Sequence, residues 1–186
     1  VNLLVGFFLG VSSGSTIIIS QFYGAKREHE LSRAVHTAMA LSVWAGIFMS
    51  VAGIFASAPA MKAISTPSDI FALSVTYLRI FFAGALPMFV YNVGSGILRA
   101  LGDSKSPFII LVAGCIVNIF LDLLFVAVFR LGVAGAAWAT VISEVICTVL
   151  TLVKLMREPN RCARLVIGKI RFTPHLLSRM TSIGLP

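Results

Sequence analysis

Charge is scarce in this chain. Asp, Glu, Lys and Arg make up 12% of its 186 residues, and only 7 are acidic. A water-soluble domain carries about 25% charged residues, so a fold in water would leave apolar surface with too little charge to offset it. Cysteine is scarce too: the 3 cysteines share no CxxC spacing, which excludes a disulfide framework or a thiolate metal site. Cys115 and Cys147 lie in apolar runs and read as small packing residues; Cys162 sits in a basic stretch. His29, His36 and His175 fall in or beside charged stretches and read as solvated. No HExxH, paired His or Ser/His/Asp set falls in the apolar runs, so the chain reads as a non-enzyme with no cofactor and no metal. What remains is apolar: 58% hydrophobic residues and a mean hydropathy of +0.98. The fold class is all-α, a polytopic membrane helix bundle.

A spanning helix needs about 20 apolar residues, and five such stretches are present. No charge occurs between Val1 and Ala25, giving a span near 3–23, and none between Ala34 and Met61, giving one near 34–58. The others run near 70–98, with Arg79 inside and Pro87 near the middle; 108–129, with Asp122; and 132–153, with Glu144. Pro87 predicts a kink in the third, and Pro59–Asp69 reads as a polar turn. Residues 1–155 thus form the membrane portion. Residues 156–179 mix basic and apolar residues and read as a cytoplasmic linker lying along the membrane interface; 180–186 read as the start of another span. Both ends run into apolar sequence, which marks the chain as part of a longer polytopic protein.

Loop charges set the orientation. Lys26, Arg27, Arg33, Arg99, Lys105 and the seven basic residues from Lys154 to Arg179 share one side, twelve of the 15 in all. Lys62, Arg79 and Arg130 remain for the other. The positive-inside rule places the twelve in the cytoplasm. The net charge of +8 is then topological and implies no nucleic-acid partner, while a basic strip beside headgroups favours anionic membrane lipids.

Charges within spans are the informative residues. An Asp at a helix centre costs roughly 2.5–3.5 kcal/mol on insertion scales, so such groups face a cavity or a partner. Gly114, Asn118 and Asp122 follow one another at i, i+4 on one face. Gly132, Ala136, Thr140, Glu144 and Thr148 form a second four-residue row. Counted from the shared outer end, Asp122 matches Thr140 in depth and Asn118 matches Glu144, so the hairpin gathers a carboxylate, an amide and a hydroxyl in the outer half. Interhelical hydrogen bonding is the competing role for Asn118 and Thr140, and packing for Glu144. Tyr91 and Asn92, beyond Pro87, read either as pathway lining or as packing.

The phrase GSGILRALGDSKSP, then Asn118-Ile-Phe-Leu-Asp122, then GVAGAAWATVISE, with GVSSGSTIIISQFYGAKR near the start, resembles the multidrug and toxic compound extrusion (MATE) family. The resemblance covers nearly the whole chain in order and spacing. It implies five helices, two to six, of a six-helix N-terminal lobe, with partners in helix one and the C-terminal lobe of the same chain. It further implies a multi-pass protein of the cell (inner) membrane that exports cationic or amphipathic compounds in exchange for protons or sodium. Asn118, Asp122 and Thr140 match the family's N-lobe ion-coupling residues, and Glu144, Asn92 and Tyr91 are candidate cavity or substrate residues. Glu144 departs from the neutral polar residue of many members. The rivals are a lipid-linked oligosaccharide flippase, which would need Arg or Lys where this chain has acids, and a non-transporting membrane subunit.

Overall fold

The structure, a computed structural model, describes residues 2–160, 162–166, 168, 173, 175, 176 and 180. Every regular element among them is helical: α1 (Asn2–Gly24), α2 (Glu28–Ala63), α3 (Ser68–Ala83), α4 (Ala85–Ala100), α5 (Lys105–Asp122), a π-helical segment (Leu123–Val128) and α6 (Gly132–Met156). Three of these paths are long and apolar enough to cross a membrane: Glu28–Ala63, Lys105–Val128 and Gly132–Met156. The bent pair α3–α4 makes a fourth when taken as one span. Helices reverse through residues with positive φ, namely Lys26, Ser65, Gly102, Arg130 and Gly132.

The expected kink in the third span is present, but not at Pro87. The helix breaks at Gly84, where α3 ends and α4 begins, and the two halves meet at 43°. Proline explains the offset: it offers no N–H to the carbonyl four residues earlier and its ring crowds that carbonyl, so the break falls one turn ahead. Pro59 behaves differently. It was expected in a polar turn, yet α2 continues through it to Ala63. Pro59 and Phe55, four residues before it, are both exposed, so water can serve the Phe55 carbonyl that loses its N–H partner.

Glycines mark the places where helices touch most closely, as expected where van der Waals packing rather than water drives association. A Cβ on Gly46 of α2 would lie 2.7 Å from the Leu86 Cα of α4. One on Gly94 of α4 would lie 2.7 Å from the Thr151 methyl of α6, and one on Gly84 equally close to Val141. Between α5 and α6 the close points are Gly114 against Cys147 and Gly135 against Phe125. Cys147 is buried, in line with its reading as a packing residue.

At the basic end of the bundle, α1, α2, α4 and α6 share one apolar cluster with Ala163, Leu165, Leu176 and Met180. The described part of the linker is therefore docked on the basic end of the bundle. The Leu165 N–H donates to the Leu155 carbonyl at 3.2 Å. His36, expected to be solvated, is 4% exposed and holds the same segment. Its Nδ1 lies 2.7 Å from the Ser32 carbonyl, and its Nε2 accepts the Val166 N–H at 3.1 Å. That pairing requires a neutral ring with its proton on Nδ1. Nearby, Asp103 accepts the Ser106 backbone N–H (2.9 Å) and hydroxyl (2.6 Å) and pairs with Lys154 of α6 (3.2 Å). The Ser106 hydrogen bonds, with Lys154 behind them, hold its carboxyl below the usual carboxylate range. Residues 181–186, read as the start of another span, lie outside the described residues.

Candidate ion-coupling site

α5 and α6 run antiparallel, and their close contacts fix the register. With Gly114 on Cys147 and Phe125 on Gly135, Thr140 falls opposite the turn between Asn118 and Asp122. Glu144 falls opposite the turn between Gly114 and Asn118. All four residues are half-buried. Asn118 Nδ2, Asp122 Oδ1 and Glu144 Oε2 are shut off from solvent and have no hydrogen-bond partner among the described residues. Such groups cost about 1–3 kcal/mol when left unpaired, so a side chain kept in that condition has a use the bundle itself does not supply.

Thr140 donates its hydroxyl to the Ala136 carbonyl of its own helix at 3.1 Å, leaving oxygen lone pairs free to accept or to ligate. No direct hydrogen bond joins Asn118, Asp122 and Thr140 among the described residues; the fold brings them to one level on facing helices. Asp122 ends the α-helical part of its span. The next six residues are π-helical, with the Phe129 N–H reaching the Leu124 carbonyl at 2.9 Å. Such wide turns are rare and gather at functional sites. Nothing in the unbroken apolar run Leu123–Phe129 marks it in the sequence.

The remaining candidates divide. Asn92 donates to the Met88 carbonyl of its own helix at 2.8 Å and takes no part in the cluster. Tyr91, half-buried on α4, lies within electrostatic reach of Glu144 and looks toward Ser95. Two residues that sequence reasoning passed over stand on the same seam: Ser95 is buried beside the Tyr91 hydroxyl, and Thr151 is buried with a hydroxyl oxygen lacking a partner among the described residues. Thr148 donates to the Pro87 carbonyl at 2.7 Å, tying α6 to the start of α4. Arg79 is exposed on α3. No group of three or more His, Cys, Asp and Glu arranged for a metal occurs among the described residues.

Residues 1–124 match the family model described as MatE. The probable multidrug resistance protein YoeA of Bacillus subtilis (strain 168) is 34% identical over 99% of this chain and 41% of its own length. Its fellow YpnP is 36% identical over 76% of this chain and 32% of its own. Protein DETOXIFICATION 45, chloroplastic, of Arabidopsis thaliana is 34% identical over 83% and 28%. The chain thus spans about two fifths of the length of the first of these relatives. Among solved structures, the inward-facing conformation of a multidrug resistance MATE family transporter of the MOP superfamily superposes with a TM-score of 0.90. It is 24% identical and matches 98% of this chain and 42% of that one. The outward-facing conformation gives 0.89 over 98% and 41%. The fold is that of a helical, multi-pass membrane transporter, and the reading of a non-enzyme agrees with these relatives.

Proposed function

We propose that this chain, which belongs to the MatE family, forms helices two to six of the N-terminal lobe of a secondary active exporter. The parent protein expels cationic or amphipathic compounds across the cell membrane in exchange for protons or sodium. The observation that carries the reading is the level shared by Asn118, Asp122 and Thr140, with Asp122 Oδ1 and Asn118 Nδ2 buried and unpartnered.

The chemistry follows from charge. Carboxylate, amide oxygen and hydroxyl are a hard-oxygen set of the kind that suits an alkali cation, and a carboxylate can equally bind a proton. A proton or sodium ion arriving from outside neutralises Asp122 and weakens the hold of the cavity on a cationic compound. Substrate binding in the cytoplasm-facing state favours the ion's departure. Each ligand disfavours the other at one charge, which is the coupling that exchange needs. The basic loops and linker face the cytoplasm and the anionic lipids of that leaflet.

The test uses the full-length parent in vesicles with an imposed proton or sodium gradient. Asp122→Asn keeps shape and hydrogen bonding but removes the charge, and should cut gradient-driven drug export at least tenfold. Asn118→Ala and Thr140→Ala should cost less, because they position or solvate the ion. Normal gradient-driven export by Asp122→Asn would refute the coupling site.

A further inference from the structure

Glu144 stands one turn from Thr140 on the same row of α6, is not among the coupling residues proposed above, and has unusual surroundings toward α4. Its Oε2 is shut from solvent without a hydrogen-bond partner among the described residues. No basic side chain answers its charge: the ion pairs among the described residues are Arg27–Glu30 and Lys154–Asp103, both at the basic end. Gly84 on Val141 and Gly94 on Thr151 set α4 and α6 parallel, with Glu144 level with Pro87 and Tyr91 level with Thr148. One turn toward the basic end lie Tyr91, within electrostatic reach of the carboxylate and with its hydroxyl toward Ser95, and Thr148, whose hydroxyl proton goes to the Pro87 carbonyl and whose lone pairs can still accept or ligate. One turn further toward the basic end, Thr151 Oγ1 is buried and likewise unpartnered among the described residues. The seam is a row of oxygens around one acid. A carboxylate serving as helix glue would have a donor; Oε2 has none among the described residues, and its cost in a membrane-spanning helix points to a cation.

We propose that Glu144, with the Tyr91 hydroxyl and Thr148, forms a second exchangeable seat for a monovalent cation, one turn beyond Thr140 on α6 and toward α4. A proton bonds to a carboxylate oxygen and leaves a neutral acid; a sodium ion stays paired with the carboxylate and the surrounding oxygens. Either way one negative charge is neutralised, and only water is released. If the antiport reading holds, the lobe then exchanges one more cation per transport cycle than Asp122 alone provides.

Equilibrium cation binding to the purified full-length parent separates this proposal from the antiport reading. Sodium binding is measured with the radioactive ion at fixed pH, and proton binding by pH-jump release without sodium, so the two arms identify the ion. Glu144→Gln should lose one bound cation per chain in one arm, in both the wild-type and the Asp122→Asn background. Tyr91→Phe, which removes one oxygen and keeps the ring, should retain the ion with several-fold weaker affinity. It supplies the reading should Glu144→Gln fail to insert. An unchanged cation count in Glu144→Gln, or an unchanged affinity in Tyr91→Phe where that variant alone is available, overturns the seat. Loss of a cation in Glu144→Gln together with normal ion-driven export in Asp122→Asn would keep the seat and discard the Asp122 coupling site.

Discussion

Gly46 is where added volume has nowhere to go. A Cβ there would sit 2.7 Å from the Cα of Leu86, 3.0 Å from its Cδ1 and 3.3 Å from its carbonyl oxygen. Carbon atoms rest at about 3.5–4.0 Å, so α2 and α4 must separate by roughly 1 Å, because the nearest atom is backbone and cannot rotate aside. Overpacking of this kind costs about 1–3 kcal/mol, a factor of about 5–150 in the folded population at 1.4 kcal/mol per tenfold. Gly46→Ala in the full-length parent should therefore lower the midpoint of a detergent-unfolding titration. Gly24→Ala is the control: nothing lies within 4 Å of its Cβ, and trading glycine for alanine at such a site is neutral or stabilising by up to about 1 kcal/mol. The sharper test is rescue. Leu86→Ala removes Cδ1 but not the backbone, so it should fail to restore Gly46→Ala. Phe82→Ala should restore Gly53→Ala, whose Cβ has Phe82 ring atoms as its three nearest neighbours. A wild-type midpoint for Gly46→Ala, or its rescue by Leu86→Ala, would refute the argument.

Two further predictions concern the basic end. Asp103 is held below the usual carboxylate range, so its contribution to stability is present at neutral pH and lost as pH falls below about 4 through its lowered value. Because the pair with Lys154 is well exposed, the gain is under about 1 kcal/mol. Asp103→Asn should flatten that acid limb of the unfolding midpoint, and an unchanged limb would count against the assignment. His36→Ala should free the Val166 amide, whose hydrogen bond is worth about 0.5–1.5 kcal/mol; hydrogen exchange there should quicken up to about tenfold, and unchanged exchange would mean that the ring does not hold the segment.

Much of the fold was legible because charge is excluded from spans: the runs free of Asp, Glu, Lys and Arg carry α1 and α2, and the i, i+4 row placed Asn118 and Asp122 on one face. The depth match of Asp122 with Thr140 differs from the observed register by no more than a residue or two, since a short turn between antiparallel helices leaves little freedom. The break at Gly84 was legible in kind but not in place; the carbonyl a proline orphans lies four residues earlier, and reading the motif from that carbonyl would have found it. His36 was misread because burial by a segment 130 residues away leaves no local trace. Ser95 and Thr151 were passed over for a related reason: a lone hydroxyl in an apolar helix can bond its own backbone, and only the neighbouring helix reveals that it does not.

The π-helical segment gives the Asp122 side of the hairpin a property the rest of the bundle lacks. In an α-helix every amide is committed to the carbonyl four residues back, and a turn can neither tighten nor slide without breaking bonds. A wide turn holds one residue in surplus, so the surplus can migrate along the chain by exchanging i→i−5 for i→i−4 bonds at nearly constant bond number. Phe125, at the contact with Gly135, lies inside that stretch. Passage of the surplus residue would turn the helix end about its axis relative to α6 while α2, α4 and the docked linker stay as they are. The carboxylate at the boundary therefore stands beside a slack link in an otherwise committed helix.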